Sequence, residues 1–167
     1  MSPNRKYNFS GKVALVTGSS SGIGKAAAIQ FAQYGAKVVI TGRNAENLQK
    51  VADKIVEVSG GVKPLQILGD LKDDSMPKKL IDGTIAAFGQ LDILVNNAGG
   101  TTPIGTLASP NLLQEFDNVY KLNVRSVVEL TQLAVTYLEK TRGNVVNISS
   151  AVAIHPVSLL REHSQIT

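Results

Sequence analysis

The sequence predicts an α/β fold in which a doubly wound parallel sheet lies between two layers of helices, giving three layers in all. Short continuous apolar runs recur along the chain, and such runs are typical of strands that are buried on both faces. Stretches with helical spacing separate these runs, so strand and helix alternate throughout. The 167 residues contain 43% hydrophobic residues and no cysteine, which predicts one domain, 1–167, whose core needs neither disulfides nor a structural metal.

The elements follow in chain order from these runs and from helix punctuation. Strands are predicted at 13–16 (VALV), 38–40 (VVI), 91–95 (LDILV) and 145–148 (VVNI), with a further candidate at 65–68 (LQIL). Helices are predicted at 22–34, 44–58, 74–88 and 110–140. Gly35 and Gly89 stand where the first and third helices should stop, and Ser109-Pro110 is typical of an N-cap followed by proline at the first helical position.

Charge and hydropathy exclude several classes of function. The 17 Lys and Arg residues against 13 Asp and Glu give a net charge of +4, and they are scattered, which argues against a nucleic-acid surface. No stretch of about 18 apolar residues predicts a membrane span, and residues 1–12 lack the apolar core of a signal peptide. We therefore expect a cytoplasmic protein with no membrane partner. We also expect no metal site, and poor order at residues 1–9 and 155–167.

A glycine-rich turn follows the first strand and opens the first helix. It reads Thr17-Gly18-Ser19-Ser20-Ser21-Gly22-Ile23-Gly24. Gly18 permits a tight turn, Gly22 lets the backbone approach a pyrophosphate, and Gly24 lets the helix pack closely on the strand. The helix N-terminus favours the anion. A glycine-rich stretch also suits a flexible loop, but the strand-turn-helix setting favours a dinucleotide-binding turn.

At this point the chain resembles the short-chain dehydrogenase/reductase family, whose Rossmann-like domain binds NAD(P) through a T-G-x-x-x-G-x-G turn. Asn96-Asn97-Ala98-Gly99 matches the family's N-N-A-G motif, and Asn147-Ile148-Ser149-Ser150 matches the strand that ends in its active-site serine. Asp70 and Asp92 fall where the family places an adenine-contacting acid and the acid before its fourth strand. The cofactor-binding residues that the resemblance implies are Thr17, Gly18, Ser20, Ser21, Gly22, Ile23, Gly24, Arg43, Asp70, Leu71, Asn97, Ala98 and Gly99.

The end of the second strand predicts which nicotinamide cofactor binds. A carboxylate about 20 residues past the glycine turn would hydrogen-bond the ribose 2′-OH of NAD. Gly42 occupies that position, and Arg43 follows it with a fork of donors suited to a 2′-phosphate. The sequence therefore predicts NADP rather than NAD, although an arginine in a loop also suits plain solvation.

The catalytic residues are only partly present. By resemblance, Ser150 hydrogen-bonds the substrate oxygen, and Asn123 holds a helix kink and a water in the proton relay. The family's Tyr-x-x-x-Lys motif is absent, because none of the four tyrosines has a lysine four positions later. At the family's usual interval from Ser150, His163 and Thr167 stand at the tyrosine and lysine positions, and we interpret them as tail residues.

The sequence is thus interpreted as a family member truncated before that motif, with the last strands and helices of the fold missing. The fifth strand should then be a sheet edge that exposes Val145, Val146 and Ile148. We expect an NADP-dependent oxidoreductase, acting on a small carbonyl or alcohol, whose turnover is impaired in this chain. The alternatives are a non-catalytic nucleotide-binding module, a fragment that pairs with a full-length relative, and an unstable by-product. The oligomeric state stays open, a homo-oligomer included.

Overall fold

The structure, a computed structural model, describes residues 7–101 and 109–150 and contains one five-stranded parallel sheet. The strands are β1 (Val13–Val16), β2 (Lys37–Gly42), β3 (Leu65–Leu68), β4 (Ile93–Asn96) and β5 (Asn144–Asn147). The helices are α1 (Gly22–Gln33), α2 (Ala45–Ser59), α3 (Met76–Phe88), α4 (Leu112–Tyr120) and α5 (Ser126–Thr141). The strand order is β3-β2-β1-β4-β5 with every pair parallel, which confirms the predicted doubly wound fold.

The sheet is buried between two apolar layers because its central strands carry apolar side chains on both faces. On one face Leu15 and Leu94 belong to a core cluster that includes residues of α3 and α5. On the other face Val16 and Ile40 belong to a cluster that includes residues of α1 and α2. All four side chains are 3% exposed or less, so β1 and β4 are the rigid centre from which the site projects.

β5 forms the outer edge of the sheet among the described residues. Its four residues are all exposed, and Val145, Val146 and Ile148 are 38%, 41% and 40% exposed. The prediction of an apolar edge at the fifth strand is therefore confirmed. Such an edge leaves one row of backbone groups without a neighbouring strand.

The long helix predicted at 110–140 is wrong in two respects. It is divided by a turn of π-helix at Lys121–Arg125, which lies between α4 and α5. The predicted start at Ser109-Pro110 is also wrong, because Asn111 has a non-helical backbone (φ −103°, ψ 11°) and the helix begins after it. Gly35 and Gly89 do end their helices, with φ of +97° and +72°.

Two further expectations concern the order of the chain ends and membrane-spanning segments. Residues 1–6 and 155–167, which were expected to be poorly ordered, lie outside the described residues, as do His163 and Thr167. Tyr7 and Phe9 pack edge-on against Tyr34 and Phe31, respectively. Among the helices of 7–101 and 109–150, none is long and apolar enough to cross a membrane.

Candidate functional site

The carboxyl ends of β1, β2 and β4 form a cleft where the strand order reverses, which is where doubly wound sheets bind ligands. The cleft holds a cavity of about 240 Å³. Its lining residues are Gly18, Ser20, Ser21, Thr41, Gly42, Arg43, Gly69, Asp70, Leu71, Asn97, Ala98, Gly99 and Leu122. The cavity therefore joins the glycine turn, the end of β2, the segment after β3 and the segment after β4.

The glycine turn has the backbone geometry that its glycines predict. Gly18 and Gly22 have φ of +61° and +54°, in the left-handed region that glycine adopts without strain. A Cβ on Gly18 would lie 2.8 Å from the Ala98 Cα, so only glycine fits against the segment after β4. A Cβ on Gly22 would meet no protein atom within 4 Å, so the turn is open on that side.

Gly24 is needed for close contact with the turn itself. A Cβ at this position would overlap the Asn97 side-chain amide and lie 2.5 Å from the Gly18 carbonyl oxygen. The predicted reason for this glycine was packing of α1 on the strand. The structure instead places the turn and the Asn97 side chain beside it.

Thr17 and Asn97 tie the glycine turn to the end of β4. The Thr17 hydroxyl accepts hydrogen bonds from the N–H groups of Asn97 and Ala98, both at 2.9 Å, and donates to the Val95 carbonyl at 3.2 Å. The Asn97 Nδ2 donates to the carbonyls of Thr17 and Gly18 at 2.9 and 3.2 Å. Thr17 is 1% exposed, so its hydroxyl joins the glycine turn to the end of β4 from a buried position.

Ser19, which sequence reasoning did not single out, joins the turn to β2. Its N–H donates to the Thr41 carbonyl at 2.9 Å, and its hydroxyl accepts from the Thr41 N–H at 2.9 Å. Both residues are buried, at 0% and 2% exposed. Ser19 stands among other small polar residues of the turn, so the local sequence does not single it out, and the 22-residue separation hides its contact with Thr41.

Arg43 and Asp70 face each other at the rim of the cavity. The Arg43 Nη1 lies 3.8 Å from the Asp70 Oδ2, and the two side chains are 70% and 36% exposed. Asp70 Oδ1 also accepts the Lys72 N–H at 3.0 Å, which fixes the carboxylate at the end of β3. An exposed ion pair of this length contributes little to stability, so the guanidinium is available to an anionic ligand.

Asn123 and Ser150, the predicted catalytic residues, do not line the cavity. Asn123 lies in the π-helical turn, where its Nδ2 donates to the Gly100 carbonyl at 2.8 Å and its Oδ1 accepts the Gly100 N–H at 3.0 Å. Ser150 is exposed and lies three residues beyond β5, whose end is adjacent to the end of β4. The structure therefore shows Asn123 holding the backbone that follows the N-N-A-G segment.

Most of the predicted cofactor-binding residues come together on the cavity. Those that line it are Gly18, Ser20, Ser21, Arg43, Asp70, Leu71, Asn97, Ala98 and Gly99. Thr17, Gly22, Ile23 and Gly24 belong to the same turn without lining it. Thr41, Gly69 and Leu122 line the cavity and were missed, although each directly precedes a residue that the sequence singled out.

The donor set of the cleft suits a dinucleotide. The first N–H groups of α1 have no carbonyl acceptor within the helix, Ser21 does not cap them with its side chain, and the first turn contains no acidic residue. Together with the open side of Gly22, these unpaired N–H groups have the geometry and charge that suit a pyrophosphate. Within the described ranges no cluster of three or more His, Asp or Glu residues is placed to hold a metal ion.

Comparison with known proteins agrees with this geometry. A family model described as short chain dehydrogenase matches residues 12–162. The 11-beta-hydroxysteroid dehydrogenase-like 2 of Arabidopsis thaliana is 36% identical over 157 residues, which cover 94% of this chain and 50% of that protein.

Two solved structures are also similar. A 7 alpha-hydroxysteroid dehydrogenase complexed with NADH and 7-oxo glycochenodeoxycholic acid superposes with a TM-score of 0.82 at 36% identity, covering 90% of this chain and 57% of that one. The L-sorbose reductase of Gluconobacter frateurii, complexed with NADPH and L-sorbose, has a TM-score of 0.80 at 32% identity, with 90% and 56% covered. The chain spans about half the length of the curated relatives it matches. It belongs to the short chain dehydrogenase family.

Proposed function

We propose that this chain binds NADP in the cavity at the carboxyl ends of β1, β2 and β4. The observation that carries the proposal is that one cavity joins the glycine turn, the Asn97-Ala98-Gly99 segment and the end of β2. The turn and the start of α1 would hold the pyrophosphate, and the segment after β3 would hold the adenine beside Asp70 and Leu71. The bound nicotinamide would supply or accept the hydride in an exchange with a carbonyl or a secondary alcohol.

The end of β2 supports NADP over NAD. Gly42 has no side chain that could accept a hydrogen bond from a ribose 2′-OH. Arg43 instead places a guanidinium at the rim of the cavity, where a 2′-phosphate would replace the distant Asp70 carboxylate as its partner. Among solved relatives, complexes with NADH and with NADPH both occur, so the choice rests on these two residues.

Arg43→Ala is expected to weaken NADPH binding by about 10- to 100-fold and to leave NADH binding nearly unchanged. The reason is that a charge-assisted hydrogen bond to a phosphate contributes about 1.5–3 kcal/mol and NADH lacks that phosphate. Fluorescence titration of the purified chain with each nucleotide measures both affinities. Lys54→Ala on α2 serves as the control, because Lys54 pairs with Glu57 away from the cavity. Tighter NADH than NADPH binding by the unmutated chain would contradict the proposal.

For catalysis we propose that this chain carries only some of the residues of the family's active site. Ser150 would donate a hydrogen bond to the substrate oxygen, and Asn123, whose amide is engaged with Gly100, would position the loop beside the nicotinamide. No residue of the sequence matches the family's tyrosine, which donates the proton, or the lysine that assists it. A positioned acid contributes about 10²- to 10⁴-fold, so the chain should bind NADPH while reducing simple carbonyls about 10²- to 10⁴-fold more slowly than a full-length relative does. Saturable NADPH oxidation at the rate of a full-length relative would contradict this.

A second candidate function follows from the exposed β5 edge. Val146 and Ile148 border an apolar cavity of about 330 Å³ that also contacts Phe9 and Phe31. A chain with such an edge could act by pairing with a full-length relative and contribute no turnover of its own. Size-exclusion chromatography of the chain mixed with a full-length homologue tests this. Separate elution of the two proteins would rule out the pairing function.

A further inference from the structure

The outer edge of β5 carries backbone groups that no described strand pairs. The N–H groups of Asn144 and Ile148 donate to carbonyls on the β4 side at 2.8 and 2.9 Å. The backbone groups of successive strand residues point to opposite sides, so those of Val145 and Asn147 point away from β4. Among residues 7–101 and 109–150 no further strand lies beyond them. Each of these two residues therefore offers one donor and one acceptor to an approaching strand.

The edge of β5 also lacks the features that keep an edge strand from pairing, which are charged side chains, prolines and bulges. Residues 143–150 contain no charged residue and no proline. Residues 144–150 are all exposed. The register with β4 is regular over all four residues of β5, so no bulge turns the edge away. The edge is thus open to a strand that comes from solvent.

The opposite edge of the sheet, β3, is protected by comparison. The Gly69 N–H donates to the Gly42 carbonyl of β2 at 3.1 Å, so by alternation residues 64, 66 and 68 point outward. Pro64, at the first outward position, has no N–H to donate, and the exposed Lys63 precedes it. Each copy of the chain therefore offers one unprotected edge, and pairing through that edge closes at two copies.

A second copy of the chain fits the β5 edge as an antiparallel strand. Val145 of each copy then exchanges two hydrogen bonds with Asn147 of the other, and Val146 lies opposite Val146 of the second copy. The contact brings no like charges together, although each copy carries a net charge of +4. We propose that two copies of this chain pair through β5 in this register, which joins their sheets into one. The inference rests on the edge used by the proposed pairing function, and it names a second copy as the partner.

Sedimentation velocity of the purified chain tests the pairing. It should show a monomer–dimer equilibrium with a Kd on the order of 10–100 µM, because the contact is small. Val145→Pro removes an outward N–H and keeps the bonds to β4, so it should weaken the dimer about tenfold or more. Val145→Thr, the matched control, keeps the N–H and the strand propensity and should leave the Kd nearly unchanged. A chain that stays monomeric at about 1 mM, far above this Kd, would overturn the inference.

The register is tested by single thiols, because the sequence contains no cysteine. In Val146→Cys the two thiol-bearing residues face each other with Cα atoms about 4.5 Å apart, within disulfide range. In Val145→Cys they lie on a diagonal, about 8 Å apart, beyond that range. The two positions are similarly exposed, at 41% and 38%. With oxidised glutathione, Val146→Cys should form disulfide-linked dimers about tenfold faster or more, and equal rates would overturn the inference.

The failure of this inference is distinguishable from the failure of the proposed functions, because self-pairing needs neither a nucleotide nor a relative. A chain that dimerises alone but elutes separately from a full-length homologue keeps the inference and loses the pairing function. A chain that is monomeric alone and elutes with the homologue overturns the inference. Protection of the Val145 and Asn147 amides from hydrogen exchange in the dilute monomer would also overturn it, because the same chain would then cover the edge.

Discussion

Gly24→Val is expected to lower the free energy of unfolding by about 3 kcal/mol, at the upper end of overpacking costs. The new side chain would overlap the Asn97 amide and lie against the Gly18 carbonyl oxygen at 2.5 Å. The Asn97 amide also donates to the carbonyls of Thr17 and Gly18, so displacing it removes the bonds that join the turn to β4. Urea unfolding followed by circular dichroism measures the effect.

Ala26→Val is the matched control, because Ala26 is an exposed residue of the same helix. Valine there costs only helix propensity, about 0.6 kcal/mol. The difference between the two variants understates the cost of the contact by about 1 kcal/mol, because the helix propensity of valine is lower than that of alanine but higher than that of glycine. Equal urea midpoints for the two variants would show that the turn does not need a glycine at 24.

Asp92→Ala should lower the free energy of unfolding by about 2–3 kcal/mol, because it leaves the buried Val13 N–H and two partly exposed donors without their acceptor. The Asp92 carboxylate is almost completely buried and accepts the Val13 N–H at 2.9 Å, the Lys12 Nζ at 2.8 Å and the Gln90 Nε2 at 2.7 Å. It thereby joins the starts of β1 and β4, the two strands that carry the site. Lys12→Gln, which removes a partly exposed partner, should cost about 1 kcal/mol or less.

The same carboxylate predicts a pH dependence. Burial by itself raises the pKa of Asp92, but the hydrogen bonds from Lys12, Val13 and Gln90 outweigh it and hold the pKa below its ordinary value of 3.8. The unfolded chain therefore binds this proton at higher pH than the folded chain does, and the stabilisation is fully present above the unfolded pKa. It is lost as the pH falls through the lower folded pKa.

Urea unfolding of the unmutated chain and of Asp92→Ala across this range provides the check. The difference in stability between the two chains should be constant at neutral pH and shrink below about pH 4. Subtracting one chain from the other removes the contribution of the other carboxylates. A difference that stays constant down to pH 2 would contradict the assignment of a lowered pKa to Asp92.

The parts of the fold that follow from local patterns could be predicted. The apolar runs of β1 and β4 predict buried central strands, and the glycines at 35 and 89 predict the ends of α1 and α3. Neither proline nor glycine marks the π-helical turn at Lys121–Arg125, so residue propensities do not locate it, and only the resemblance, which implies a helix kink at Asn123, points to this place. Its Asn123 amide bonds Gly100, and a contact across 23 residues leaves no local signal.

In the candidate site, too, features with a local sequence signal could be predicted and long-range contacts could not. The spacing of Gly18, Gly22 and Gly24 predicts a phosphate-binding turn. The left-handed φ of Gly18 and Gly22 is a local backbone requirement, whereas the contact of Gly24 with Asn97 is not local. The close approach of Ser20 to Gly42, where an added Cβ would lie 2.7 Å from the Ser20 Oγ, exists only because β1 and β2 are neighbours in the sheet, so neither residue reveals it alone. Likewise, the buried hydroxyl of Thr17 bonds partners 78 to 81 residues away, and the sequence motif alone suggested only a cofactor contact.

The central claim is that the cavity between the glycine turn, the end of β2 and the Asn97-Ala98-Gly99 segment binds NADPH. Titration of the ¹⁵N-labelled chain with NADPH, followed by ¹H–¹⁵N correlation spectra, tests it most directly. We predict saturable shifts for the amides of the residues that line the cavity and of the first turn of α1, with the amides of β5 and the last turns of α5 unmoved. Spectra without saturable shifts, or shifts concentrated at the apolar cavity beside β5, would contradict the claim.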